Sequence, residues 1–382
     1  MSTEAPGAPR PWAHVADADG RHTAASAADW GVAGHSLGVA ALRRALATDR
    51  LAHAYLFSGP TGVGKATLAR RLAQALCCER RADDPDAAPC RECRACIHVE
   101  AGTAPDIERI AIGGICDESG PAHRDHAADG STRIRICQVR RLERVASLAP
   151  FQSPRRIFVI DTADDLQREA AHALLKTLEE PPASVLLIVL AADAGALLPT
   201  VRSRCQELVL RPLPRAELAA LLAASHGIDP ATADELALAA RGRYGLALRL
   251  HSDPALRQLR ETAAADAERL ATASRNERFD AAATLGARWY RERQSVLDTL
   301  DAWAEWWRAC LAHAAAHDRS APTIACTPAQ ALAALRGLAA AREQLLANVN
   351  AQLALDILML DLPQLPASPA PPREEEPAVA AP

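Results

Sequence analysis

Aromatic residues are scarce, at 3% of the 382 residues, with four phenylalanines and three tyrosines. A core built without them must rest on leucine, valine, isoleucine and the abundant alanine, carried mainly on helices. Long apolar runs are missing as well. Nothing approaches the roughly 18 consecutive apolar residues that cross a membrane. The opening MSTEAPGAPRPWAHVADADG lacks the apolar stretch of a secretory signal. Charge of one sign is nearly balanced, with a net of −4 at pH 7. That balance excludes a global basic field for nucleic acid, though not a local patch. No internal repeat is visible. These absences predict a soluble cytoplasmic chain, long enough for two or three domains with cores of their own.

Cysteine, in contrast, is plentiful: there are ten. In a chain with no secretory signal, clustered cysteines point to metal rather than to disulfides. The cluster is Cys78, eleven intervening residues, then Cys90, Cys93 and Cys96 in CxxCxxC. Thiolates at CxxC spacing suit a tetrahedral zinc ion. The fourth ligand is Cys77 or Cys78, and Cys78, being nearer the loop, is preferred. His98 is a spare ligand candidate, read as a surface histidine. Cys116, Cys137, Cys205, Cys310 and Cys326 are scattered and are expected to be packing residues.

The chain divides into a tail (1–28), an α/β domain (29–211) with the zinc module at about 77–98, a small helical domain (212–255), a larger helical domain (256–364) and a second tail (365–382). Both tails are rich in alanine, proline and charge and are expected to be disordered. The apolar run AHAYLFSG ends in a glycine loop and is followed by the helical spacing of KATLARRLAQALCC. RRIFVID and SVLLIVLAA read as further buried strands, with DDLQREAAHALLKTLEE a helix between them, stopped by Pro181 and Pro182. Strands alternating with helices predict a parallel sheet covered on both faces. Trp303, Trp306 and Trp307, at helical spacing, read as core or interface packing rather than a ligand cage.

Gly59, Pro60, Thr61, Gly62, Val63, Gly64 and Lys65 form a phosphate loop, GxxxxGK, between the first strand and its helix. Backbone amides at a helix N-terminus cradle an anion, and the lysine reaches the terminal phosphates. The next residue normally supplies a hydroxyl to magnesium, but here it is Ala66, followed by Thr67. Asp161, ending the second strand, is placed like the acid that holds magnesium through water. Where a working hydrolase carries a glutamate to polarise water, this chain has Thr162, which is no base near neutral pH.

LAHAYLFSGPTGVGKATLA, the CxxCxxC module, ALLKTLEEPP, LLPTVRSRCQ and ANVNAQLALDILMLDLP together resemble the clamp-loader branch of the AAA+ ATPases. The resemblance runs from about Trp30 to Pro363. Within the family it is to the delta-prime group of subunits of bacterial DNA polymerase III rather than to the gamma or tau motors. It implies a P-loop AAA+ domain, a helical lid and an all-helical collar. It also implies that Ala192 stands where motors carry a sensing threonine and Gly245 where they carry a phosphate-touching arginine. Arg204, in SRC, matches the arginine finger that acts on a neighbouring subunit's nucleotide. Arg202, two residues before it on a segment expected to be extended, should point elsewhere.

The implied role is a stator without ATPase activity of its own, inside a DNA-directed DNA polymerase holoenzyme. Gamma/tau and delta subunits would be its partners, and DNA and a sliding clamp would be reached through the complex. ATP or ADP at the loop is left open. The alternatives are an ATP-hydrolysing motor using Thr67, and a stand-alone zinc-containing DNA-binding module.

Overall fold

The structure is a computed structural model that describes residues 30–81, 89–118, 126, 131, 133–316, 326–346 and 349–366. The expected N-terminal tail, and the C-terminal one beyond residue 366, lie outside the described residues. The chain separates into two compact units between Asp253 and Pro254.

The first unit opens with α1 (Ser36–Ala47), β1 (Ala54–Ser58) and α2 (Lys65–Cys77). Then come α3 (Arg94–Ala101), β2 (Ile107–Ile110), α4 (Ile136–Ala146), β3 (Arg156–Ile160), α5 (Arg168–Glu179), β4 (Val185–Ala191), α6 (Pro199–Arg202) and β5 (Gln206–Val209). The strands form one five-stranded sheet in the order β2-β3-β4-β1-β5. Every pairing is parallel, with Ala54 opposite Leu187 and Ile157 opposite Leu186.

The apolar runs split their residues between two faces, as a pleat requires. Tyr55, Phe57, Ile157, Val159, Leu186, Ile188 and Leu190 pack with α1, α2 and α3 on one side. Leu56, Phe158, Ile160, Leu187 and Val189 pack with α4 and α5 on the other. The parallel α/β expectation is met.

Three helices complete this unit: α7 (Arg215–His226), α8 (Pro230–Ala240) and α9 (Tyr244–Ser252). The connection between α7 and α8, HGIDP, is built as its residues suggest. Gly227 ends α7 at φ 64°, and the Asp229 carboxylate accepts from the amides of Ala231 and Thr232 at the start of α8, with Pro230 in its first turn.

The second unit is all helical: α10 (Pro254–Thr272), α11 (Arg275–Trp289), α12 (Arg293–Ala316), α13 (Pro328–Leu346) and α14 (Ala351–Asp361). Trp303 and Trp307 are buried in its core, and Trp307 meets Trp306 edge-on at 4.9 Å, so the tryptophan cluster is packing. Arg278 is buried, and carbonyl oxygens rather than a carboxylate receive its charge. Its guanidinium donates to the carbonyls of Leu270, Ala271, Leu362 and Pro363 at 2.6–3.1 Å, joining the ends of α10 and α14. Helix C-termini carry partial negative charge, which is what makes such a site tolerable for a cation. Leu365, at the edge of the expected tail, is buried here, and its amide donates to Ala271.

Candidate functional site

The phosphate loop lies where β1 hands over to α2. Gly59, Gly62 and Gly64 have φ of 142°, 83° and 118°, backbone shapes that side-chain-bearing residues rarely adopt. At Gly59 a Cβ would also sit 2.2 Å from the carbonyl oxygen of Leu210. Lys65 Nζ folds back onto the loop, donating to the carbonyls of Gly59 (2.5 Å) and Pro60 (3.2 Å). Burial lowers its pKa, while the charges of Asp164 and Asp161 act the other way. Buried His35 contacts the loop from the start of α1, its Nε2 lying 3.1 Å from the Val63 carbonyl.

The groups around the loop are held within the chain. Asp161 accepts from Arg109 on β2 through Nε (3.0 Å) and Nη2 (2.5 Å). Sequence reading passed over Arg109 because one arginine on a short strand carries no motif. Thr162 has a left-handed backbone, and its hydroxyl donates to the Asp161 carbonyl. The Asp164 carboxylate accepts from the amides of Ala192 and Asp193, tying the end of β3 to that of β4. Gly245, on α9, donates its amide to the Gly62 carbonyl at 2.9 Å. A Cβ there would approach that carbonyl to 3.1 Å, so α9 packs on the phosphate loop by backbone contact.

At the other end of α2 the four predicted cysteines converge. The sulfurs of Cys78, Cys90, Cys93 and Cys96 lie within 4.8 Å of one another. Cys93 precedes the first residue of α3, and its sulfur accepts from the Cys96 amide at 3.5 Å; the Cys90 sulfur accepts from the Cys93 amide at 3.3 Å. Cys77 is not in the group: its thiol points to the Ser153 hydroxyl at 3.2 Å. Burial pushes the thiols of Cys78 and Cys96 up. Burial opposes ionisation at Cys90 too, but amide bonds from Cys93 and Glu92 outweigh it and bring that thiol down to about 7.

Four sulfurs converging under amide donors fit a tetrahedral ion such as zinc, which would take them as thiolates and offset their burial. The described residues do not place His98 in this group; its ring contacts Thr103 and Arg94. Cys116 and Cys137, expected to be scattered packing residues, instead meet at His126. Their wide spacing offers no local signal.

Arg202 and Arg204 follow β4, and the segment carrying them is not extended. Pro199, favoured in a first helical turn, opens the single turn of α6, and the amides of Ser203, Arg204 and Cys205 continue bonding back onto it. The two arginines still diverge. Arg202 pairs with Glu207, whereas Arg204 donates to the Thr200 carbonyl (2.8 Å) and pairs with Glu179 (2.8 Å), its side chain 35% exposed.

Fold and loop together define a P-loop α/β domain that carries a cysteine module. Residues 34–214 match the family described as DNA polymerase III, delta subunit. The delta' subunit of DNA polymerase III from Pseudomonas aeruginosa is 36% identical over 202 residues, covering 52% of this chain and 56% of that one. The delta' subunit from Bacillus subtilis is 32% identical over 172 residues, covering 45% and 46%. The gamma/tau subunit from Mycobacterium tuberculosis is 35% identical over 192 residues, covering 50% and 30%. The resemblance read from the motifs is borne out over this segment, which is homologous to DNA polymerase III subunits of the delta' and gamma/tau kinds. The matched segments span between about a third and just over half of these relatives' lengths.

Proposed function

We propose that the protein is a delta-prime-type stator of a bacterial clamp loader, taking no ATP turnover of its own and completing a neighbouring motor's site with Arg204. The observation that carries the reading is the set of residues around the loop. Ala66 offers no hydroxyl to magnesium, Thr162 offers no base, and Ala192 and Gly245 carry no group that could reach a phosphate. Asp161 is taken by Arg109. Thr67 does not substitute for a hydroxyl at position 66, because one residue along a helix turns the side chain by about 100°. Nucleotide binding by the loop amides and Lys65 is compatible with this role. α7–α9 would be the lid and α10–α14 the collar, with gamma/tau and delta subunits as neighbours and DNA and clamp engaged by the assembly.

Arg204 suits the transfer of a guanidinium between partners. Its pair with Glu179 is partly exposed, and such pairs contribute about 1 kcal/mol or less. A neighbour's phosphates would form stronger, two-pronged bonds in exchange.

The test is DNA- and clamp-stimulated hydrolysis by reconstituted complexes, with assembly checked by gel filtration. Arg204→Ala should assemble and lower the rate severalfold, less than the roughly 10³-fold of an isolated finger, because it serves one of several motor sites. Arg202→Ala should do less. An assembled Arg204→Ala complex that hydrolyses and loads at the unaltered rate would remove the finger role. Turnover by the isolated chain that vanishes in Lys65→Ala would favour the motor reading instead.

A further inference from the structure

Cys116, His126 and Cys137 are far apart in sequence yet share one place in the fold. Cys116 follows β2, Cys137 sits in the first turn of α4, and His126 comes from the connection between them. His126 is 3% exposed and Cys137 2% exposed. The same imidazole nitrogen, Nε2, lies 3.2 Å from the sulfur of Cys116 and 3.4 Å from that of Cys137. The three donor atoms lie within 4.8 Å of one another.

One nitrogen facing two sulfurs is the arrangement expected around a shared cation. With zinc–sulfur and zinc–nitrogen bonds of about 2.3 and 2.1 Å, a tetrahedral site has nitrogen–sulfur edges of roughly 3.6 Å. The observed separations fall within a few tenths of an ångström of that edge. A nucleophilic cysteine–histidine pair is a poorer fit, since His126, which either cysteine would need as its base, is itself too buried to meet a substrate. The group is separate from the Cys78 cluster: none of its ligands is shared.

We propose that Cys116, His126 and Cys137 form a second zinc site, which fastens the segment after β2 to the first turn of α4. Two thiol protons leave as the ion binds, so affinity weakens as the pH is lowered. The fastening reinforces contacts already spanning this junction: Gln138 donates to the Ala111 carbonyl, and Asp117 pairs with Arg141.

The full-length chain, purified under reducing conditions and reloaded with Zn²⁺, should hold two equivalents. Cys116→Ser should hold one, Cys93→Ser should hold the other, and the double variant should hold none. Cys116 is only half-buried, so its serine variant should fold, as circular dichroism would verify. With Co²⁺ as the probe, the sulfur-to-metal absorption of Cys93→Ser should be about half that of Cys116→Ser, reflecting two thiolates against four. One equivalent in the native chain, an unchanged count in Cys116→Ser, or a Cys116–Cys137 disulfide in anaerobically prepared protein would each overturn the proposal. Should Cys93→Ser fail to fold, the native and Cys116→Ser counts decide alone.

Discussion

The two ends of α2 carry the two motifs on which the functional reading rests, and they differ in what they retain. At its N-terminus the phosphate loop keeps its glycine geometry and its lysine, while the residues that would perform hydrolysis are absent or engaged within the chain. At its C-terminus the cysteine module brings all four cysteines together, and the amides of Cys93 and Cys96 point at the sulfurs. A loop can hold its shape by packing alone, as Gly245 on Gly62 and Gly59 against Leu210 indicate. Four gathered thiols, two of them buried, have no comparable source of stability without an ion. The cysteine end should therefore depend on its ligand, and the loop end should not.

The largest effect is expected at the cysteine end. Cys93→Ser should release the metal proposed for Cys78, Cys90, Cys93 and Cys96 and loosen the segment from Glu79 to Ile97. Structural zinc in small sites contributes about 10–16 kcal/mol of apparent binding energy near neutral pH, which is energy for local folding. The sheet should survive, because α1 and α2 supply most of the helical packing on the face that Cys78 and Cys96 share, and α4 and α5 cover the other face. Metal analysis and amide exchange would measure this. Rapid exchange confined to residues 79–97 supports the comparison, and native-like protection there without metal would break it.

A smaller, global loss is expected from Gly59→Ala at the loop end. The new Cβ would meet the Leu210 carbonyl at 2.2 Å on a backbone at φ 142°, a combined clash and strain of roughly 2–4 kcal/mol. Gly64→Ala meets only the His35 ring, at 3.8 Å, so strain alone remains and the loss should be about half as large. Urea unfolding without nucleotide would rank them. Native-like stability in Gly59→Ala would show that the loop is not held by packing.

How much of this was legible in sequence follows from what is local. The parallel sheet, the phosphate loop and the CxxCxxC cluster were readable because each motif is contiguous or follows a simple period, and the gathering of Cys78 rather than Cys77 with that cluster agrees with the preferred choice. The Arg109–Asp161 pair, the hold of Glu179 on Arg204 and the meeting of Cys116, His126 and Cys137 were not readable, since each joins residues from separate elements. The turn of α6 was missed for another reason: four residues are too few to show a helical period, and only Pro199 signalled it.

The smallest expected effect lies in how the loop end responds to acid. Burial lowers the pKa of His35, outweighing its contact with the Val63 carbonyl. A carbonyl only accepts, so Nε2 carries the proton and the folded chain holds a neutral ring with Nδ1 bare. The unfolded chain takes up a proton near pH 6.5. Below that value the unfolded state binds more protons than the folded one, so stability falls with pH until the folded ring also titrates. Above it, this contribution is fully present. His35→Gln keeps an N–H for Val63 and cannot titrate. Its melting temperature should therefore decline less steeply than the native one between about pH 7 and pH 5. Acid also protonates the cysteine ligands, but that loss is common to both chains and cancels in the difference. Parallel melting curves across this range would show that His35 is not the loop's acid-sensitive contact.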